Sequence, residues 1–333
     1  MAERIIAVSD SVFPNLDPTR AVLSRIGGEL RVAEASTPEA VLAVAHDANA
    51  LLTTYAKITA EMISEMPKCR IISRFGIGVD NVDLAAASAH RIAVTRVPDY
   101  CIDEVSDHAM ALVLAAARKI PFANNQVQTG NWRMQSVQPI YRLRGQVIGL
   151  VGFGRIPQAL APKAKSFGLT VIAFDPYVQA NVLANAGVEG VNFDDLLRRS
   201  DYVSIHSPFT PETFKLFNEA AFARMKPNAY LINTARGPII DEDALAWALD
   251  NHRIAGAALD VMTKEPPNDS SLRHRENVIL TPHTAFYSEE SLVELQTKAA
   301  EEVARVLTGQ RPLNQLNLEV LLPEPTAGKH VGH

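Results

Sequence analysis

An arginine, a glutamate and a histidine mark three segments in the C-terminal half of this 333-residue chain. They lie in Asn233-Thr234-Ala235-Arg236-Gly237, in Glu265-Pro266-Pro267 after Asp260, and in Thr281-Pro282-His283-Thr284-Ala285. Each segment follows a short apolar run that reads as a strand. An imidazole titrates near ~6.5 and can exchange a proton with a hydroxyl close to neutrality. A carboxylate beside it favours the protonated form and fixes the ring. A guanidinium can hold a carboxylate through paired hydrogen bonds and polarise a carbonyl. Each residue alone has a plainer role. Any of the nine histidines can be structural, Glu265 can be a solvated loop charge, and Arg236 can cap a strand or pair with Asp241. The ordered set points to chemistry because ligands of open parallel sheets sit beyond the carboxyl ends of the strands.

A glycine-rich turn supplies the partner for that chemistry. Gly152-Phe153-Gly154-Arg155-Ile156-Pro157 follows the strand Val147–Val151 and opens a helix, and Asp175 ends the next strand. Strand, turn, helix, strand and terminal acid together form the context of a dinucleotide site over residues 147–175. The first glycine permits the tight turn, and the second lets backbone approach a pyrophosphate at the helix N-terminus. Asp175 would accept ribose hydroxyls and repel a 2′-phosphate. Pro176 and Tyr177 offer no arginine for such a phosphate, so the expected cofactor is NAD. Pro157 stands where the pattern wants a third glycine. First-turn N–H groups have no intrahelical partner, so the helix should still start after Gly154 with the proline inside its first turn.

The elements that must position these residues alternate along the chain. Strands are expected at Arg4–Ser9, Leu30–Glu34, Ala50–Thr53 and Arg70–Ser73, with helices at Pro18–Ile26 and at Thr37–His46, capped by Thr37. A long helix is expected at Asp103–Lys119. A second strand series runs Val147–Val151, Val171–Asp175, Tyr202–His206, Tyr230–Asn233, Ala255–Asp260 and Val278–Thr281. Such alternation implies parallel sheets with helices on both faces. A helix at Glu289–Leu307 should pack back on the first unit and make it discontinuous. Arg311–His333, rich in Pro, Gly and Asn, reads as a loosely packed tail.

Composition narrows the function classes. The chain is 47% hydrophobic and 21% charged, with a net charge of −5. No basic stripe suggests nucleic acid, and no apolar run suggests a membrane span. Cys69 and Cys101 offer neither a disulfide framework nor a metal pair, so no metal is expected and a reducing, cytoplasmic setting fits. The N-terminal apolar run is too short for a signal peptide.

Over nearly its whole length the sequence resembles the D-2-hydroxyacid dehydrogenase family. The resemblance rests on the glycine turn with Asp175, on the Arg236, Glu265 and His283 segments, and on Ser73–Leu84, which matches the family's substrate-carboxylate loop. It implies a Rossmann NAD-binding domain (102–287) inserted into a flavodoxin-like substrate domain (1–101 and 288–333). It implies Arg236, Glu265 and His283 as the catalytic set, with the backbone of Ile77 and Gly78 meeting the substrate carboxylate. Val105, Gly152, Gly154, Arg155, Ile156, Asp175, Pro208, Thr213, Thr234 and Asp260 would line the cofactor site. Met134–Gln138, Asp175–Tyr177 and Ala285–Glu289 are similar to the C-terminal binding protein branch. There an arginine at Arg74 also binds the carboxylate, and an aromatic at Phe286 lines the pocket. Tyr55 and Lys57 are further candidates for shaping it.

The expected activity is reversible reduction of a 2-oxo acid to a D-2-hydroxy acid with NADH. The alternative is an NAD(H)-sensing corepressor or scaffold, disfavoured because a sensor needs no complete acid–base set. Biosynthetic 3-phosphoglycerate dehydrogenase is disfavoured by the absence of a second Arg and Lys cluster and of residues for an added regulatory domain. Family members typically form homodimers, and Asp103–Lys119 with Asn131–Arg142 are apolar enough to supply that contact.

Overall fold

The computed structural model describes residues 4–320. Contacts divide the chain into two units, one running to Tyr100 and resuming at Ser288, the other being Cys101–Tyr287. In the first unit, strands β1 (Arg4–Val8), β2 (Gly28–Val32), β3 (Ala50–Thr53), β4 (Ile71–Arg74) and β5 (Ala93–Thr95) alternate with helices α1 (Asp17–Ser24), α2 (Pro38–Ala45), α3 (Ala60–Ser64) and α4 (Leu84–Ala89). These five strands pair with one another in parallel, in the order β2-β1-β3-β4-β5. Strands buried on both faces need continuous apolar runs, and β3 is fully buried. Thr37, Thr59 and Asp83 start α2, α3 and α4 by accepting from the backbone N–H groups of Ala40, Met62 and Ala86. The second strand begins two residues earlier than its composition suggested. Gly28 lies so close to β1 that an added Cβ would sit 2.7 Å from Ile6 Cδ1. The three-residue β5 is too short to have shown in the apolar pattern.

The second unit opens with α5 (Ile102–Arg118) and α6 (Ile120–Gln128), joined at Lys119 in a left-handed conformation. Seven parallel strands follow: β6 (Val147–Val151), β7 (Thr170–Phe174), β8 (Glu189–Gly190), β9 (Tyr202–Ile205), β10 (Tyr230–Asn233), β11 (Gly256–Leu259) and β12 (Val278–Leu280). Their order is β12-β11-β10-β9-β6-β7-β8. Helices α7 (Arg155–Ser166), α8 (Ala180–Asn185), α9 (Phe193–Arg199), α10 (Glu219–Arg224) and α11 (Glu242–Asp250) connect them. Two apolar clusters hold the sheet, one containing Phe217, Phe222 and Leu245, the other Val113, Phe153 and Leu160. Each such fully buried side chain contributes about 1.5–3 kcal/mol relative to exposure.

The last helix, α12 (Glu289–Leu307), returns to the first unit and packs on α1 and β4. Ser288 and Ser291 close a capping box at its start, and Ser73 Oγ donates to the Ala299 carbonyl at 3.1 Å. The tail expected to be loose is docked up to Val320. Gln315 pairs antiparallel with Thr95, Leu316 N–H donates to the Val94 carbonyl at 2.9 Å, and Val94 N–H donates to Asn317 Oδ1 at 2.8 Å. Buried Glu302 accepts from the N–H groups of Leu313 and Asn314 at 2.8 and 3.0 Å. The physical reason is the open edge of β5, whose unpaired backbone groups need partners. Gln315 and Asn317, in a stretch read from its Pro, Gly and Asn content as a loose tail, help provide them. The remainder of the expected tail, 321–333, lies outside the described residues.

Candidate active site

In the second unit, β6 ends at Val151 and α7 starts at Arg155. Gly152 has φ +93°, and its N–H donates to the Phe174 carbonyl at 2.8 Å. A Cβ there would lie 3.0 Å from the backbone of His206 and Ser207. Gly154 is the N-cap of α7, and nothing lies within 4 Å of a Cβ built on it. One glycine therefore meets protein backbone, and the other leaves space over the helix N-terminus. Pro157 is buried in the first turn of an otherwise regular start. Asp175 Oδ2 accepts from Phe153 N–H at 2.8 Å and Oδ1 from Tyr177 N–H at 2.9 Å. The carboxylate thus fixes the turn and keeps lone pairs for further donors.

Other expected cofactor residues surround this turn or brace it. Val105 is buried on α5, Ile156 is half-buried, and Arg155 is exposed. Thr213 Oγ1 donates to the Pro208 carbonyl at 2.8 Å and accepts from Thr210 N–H at 2.8 Å, stiffening the loop after β9. Two buried hydroxyls, Ser207 Oγ and Thr234 Oγ1, have no hydrogen-bond partner among the described residues. Leaving such a group unsatisfied costs about 1–3 kcal/mol. Unmet hydroxyls on the loops after β9 and β10, together with the open helix N-terminus after β6, fit a polar, anionic ligand such as a dinucleotide.

The three catalytic candidates sit on loops after β10, β11 and β12. Asn233, fully buried at the end of β10, accepts from Ala235 N–H at 2.9 Å and donates to the Arg236 carbonyl at 2.9 Å. Gly237 lies against the next loop: a Cβ there would be 2.0 Å from the Met262 carbonyl carbon. Met262 N–H in turn donates to Glu265 Oε1 at 2.9 Å. The loops of Arg236 and Glu265 are therefore braced through Met262. Glu265 Oε2 meets His283 Nδ1 at 2.7 Å, and the Phe286 and His283 rings stand nearly perpendicular at 6.1 Å between centroids. Burial works against the Glu265 carboxylate. The His283 hydrogen bond and charge, the Met262 N–H and the Arg236 charge outweigh burial and hold its pKa below the usual glutamate value. Engagement of Nδ1 by the carboxylate directs proton exchange to Nε2.

His283 itself has φ +53°, an uncommon backbone state for a residue with a side chain. Its N–H donates to the Asp260 carbonyl at 2.8 Å and to the Thr281 carbonyl at 3.0 Å. Asp260 is 2% exposed, and its carboxylate accepts from Thr281 Oγ1 at 2.6 Å and from the N–H groups of Thr284 and Ala285 at 2.9 and 2.8 Å. Asp260, expected to line the cofactor site, also holds the His283 loop. Among the other histidines, His206 follows β9 beside Gly152, and burial pushes its pKa down to about 3. A ring that stays neutral throughout the physiological range is no acid at pH 7.

In the first unit, Arg74 ends β4 and its guanidinium folds back over Gly76. A Cβ at position 76, where φ is +149°, would lie 1.3 Å from Arg74 Nη1. The N–H groups of Ile77 and Gly78 donate to no acceptor among the described residues. Two successive amides near a guanidinium make a place for an anion. Tyr55 N–H donates to Asp10 Oδ2 at 2.6 Å, and the Tyr55 side chain is exposed. Reasoning from the sequence missed Asp10, Asn233 and His108, the last meeting Thr281 Oγ1 through Nε2 at 3.0 Å. Only Asn233 had an available signal, its place in the Arg236 segment.

Comparison with known proteins agrees with this layout. Residues 110–285 match the family model described as D-isomer specific 2-hydroxyacid dehydrogenase, NAD binding domain. A glyoxylate reductase of Thermococcus litoralis is 38% identical over 84% of this chain and 86% of its own. A D-3-phosphoglycerate dehydrogenase of Methanocaldococcus jannaschii is 38% identical over 91% of this chain, which spans only 58% of that protein. Among solved structures, the D-lactate dehydrogenase of Aquifex aeolicus, complexed with NAD and lactic acid, is 28% identical with a TM-score of 0.84, covering 92% of this chain and 96% of that one.

Proposed function

Since this chain belongs to the D-isomer specific 2-hydroxyacid dehydrogenase family, we propose that it catalyses the reversible reduction of a 2-oxo acid to a D-2-hydroxy acid with NADH. The observation that carries the proposal is the His283–Glu265 pair at 2.7 Å, set at the strand ends of the sheet that also carries the glycine turn. Bound NAD(H) supplies or takes up the hydride. In reduction, the His283 imidazolium gives its Nε2 proton to the carbonyl oxygen as C2 becomes tetrahedral. In oxidation, the neutral ring accepts that proton from the hydroxyl. Glu265 keeps Nδ1 protonated in both directions, so the proton is always exchanged at Nε2. Arg236 binds and polarises the substrate; the substrate carboxylate is assigned to Arg74 and to the amides of Ile77 and Gly78. Tyr55 and Phe286 shape the remainder of the substrate site.

Asp175 supports NAD over NADP, and the cofactor role extends to Val105, Gly152, Gly154, Arg155, Ile156, Pro208, Thr213 and Thr234. Ile120, Val127, Trp132, Met134 and Tyr141 are exposed in the segment following α5. They support a homodimer joined through the second unit. Neither cysteine forms a disulfide, which supports a cytoplasmic setting. The relatives above are dehydrogenases and reductases, and the acid–base set is complete, so a purely sensing scaffold is not favoured.

The test is NADH oxidation with glyoxylate, pyruvate and bulkier 2-oxo acids, and NAD reduction with 3-phosphoglycerate. Phosphoglycerate belongs in the panel because relatives at 38% identity carry its name, against the expectation from the sequence. His283→Ala should lower kcat by about 10²–10⁴-fold with any accepted substrate. Turnover equal in wild type and His283→Ala, or none with any acid, overturns the proposal.

A further inference from the structure

We propose that His108, on α5, is a positioning residue for the His283 loop, acting as an obligatory hydrogen-bond donor through Thr281. The inference rests on the dehydrogenase reading for its activity assay but is argued from hydrogen-bond accounting alone. Thr281 Oγ1 has one proton, and at 2.6 Å from Asp260 Oδ1 that proton belongs to the carboxylate contact. The 3.0 Å contact between Thr281 Oγ1 and His108 Nε2 then needs a proton on the nitrogen. The same Nε2 lies 3.6 Å from Asp260 Oδ1. His108 is therefore held with Nε2 protonated.

The consequence follows from what Asp260 does. Its carboxylate receives Thr284 N–H and Ala285 N–H, and its backbone carbonyl receives His283 N–H. Every one of those groups belongs to the loop after β11 or to the loop after β12. His108 comes from a different element, 173 positions earlier, and ties this cluster to α5. Val105, a proposed cofactor residue, lies three positions before His108 and so on the same face of the helix. The histidine thereby links the helix beside the cofactor site to the loop whose left-handed His283 sets the direction of the acid.

His108→Ala should lower kcat about tenfold, the scale of one lost hydrogen bond in a positioning network, and leave the KM for NADH unchanged. His108→Gln, whose amide nitrogen can donate from about the position of Nε2, should restore most of the loss. Thr281→Val should reproduce the loss, and the double variant should lose no more than either single one. Imidazole 15N resonances, recorded with and without NADH, give a readout independent of turnover. His108 should show a protonated Nε2, and the His283 signals should move in His108→Ala and return in His108→Gln. An unprotonated Nε2, an unchanged kcat in His108→Ala, or a His108→Gln as impaired as the alanine variant overturns the inference. A wild type that accepts no 2-oxo acid refutes the dehydrogenase reading instead and leaves the resonances to decide this one.

Discussion

Each of the two sheets reverses its strand order at one place, between β1 and β3 in the first unit and between β6 and β9 in the second. Backbone groups at the carboxyl ends of strands converge at such a point, which is why ligands collect there. The two places are furnished in opposite ways. After β1, Asp10 fills the position with a carboxylate of its own, accepting from Ser9 Oγ at 2.6 Å and from the N–H groups of Thr54 and Tyr55 at 3.0 and 2.6 Å. After β6, the chain runs Gly152-Phe153-Gly154 and places no side chain over the start of α7. The same topology thus makes two anion sites. The sequence of one turn decides whether the protein or a ligand supplies the anion. In the first unit the unclaimed amides have moved to the loop after β4, at Ile77 and Gly78.

The sharpest way to break this comparison is to place a methyl group in the open turn. Gly152→Ala meets the backbone of His206 and Ser207 at 3.0 Å in a conformation with φ +93°. It should lose roughly 1–3 kcal/mol of stability and weaken NADH binding at least tenfold. Gly154 has φ −75° and open space around it. Gly154→Ala should therefore stay within roughly 1 kcal/mol of wild type, the scale of a changed N-cap, while still weakening NADH. Urea denaturation and a fluorescence titration with NADH separate the two effects. If both variants bind NADH as wild type does, the open turn is not the cofactor site.

The contrast between the two turns also separates what the sequence shows from what it hides. The glycine turn, its terminal acid and the three strand-end segments are local patterns, fixed by backbone conformation, by short apolar runs and by the helical periodicity. They could be read, and so could both parallel sheets. The groups that brace them could not. His108 reaches Thr281 across 173 positions, and Asp10 reaches Tyr55 across 45. A lone histidine or aspartate carries no mark of such a partner. Asp260 was visible as a residue at a strand end, but its work as the anchor of the His283 loop depends on amides that only the fold brings together. The docked tail was hidden for the same reason, since Asn and Gln that cap an edge strand have the composition of a loop.

A smaller effect is expected from emptying the filled turn. Asp10→Asn keeps one acceptor but can place a donor against a backbone N–H, either Thr54 or Tyr55. The loss should be roughly 1–2 kcal/mol in stability, as for a buried group left unsatisfied. NADH affinity should not change, while the KM for the 2-oxo acid should rise severalfold as the Tyr55 segment loosens. Isothermal calorimetry with NADH and steady-state kinetics give the two numbers. A loss of NADH affinity equal to that of Gly152→Ala would mean that the two switch points are not independent.

The smallest effect concerns how a carboxylate is held when an imidazole, rather than backbone amides, faces it. Glu265 is 37% exposed, so water and salt screen its pairing with His283. Its pKa in the folded protein is nonetheless lower than in the unfolded chain, because the His283 contacts, the Met262 N–H and the Arg236 charge together exceed the opposing effect of burial. A depressed carboxyl pKa contributes stability above the unfolded value of ~4.3, and that contribution disappears as the pH falls through the lower folded value. Glu265→Gln removes this dependence. The stability difference between wild type and Glu265→Gln should therefore be present from pH 5 to 7 and shrink steadily below about pH 4, and added salt should reduce it at neutral pH. Denaturant titrations at a series of pH values measure it. A difference that grows on acidification would mean that the folded carboxyl has a raised pKa. Glu265 would then be a proton donor in its own right, and the assignment of His283 Nε2 as the exchanging atom would fall with it.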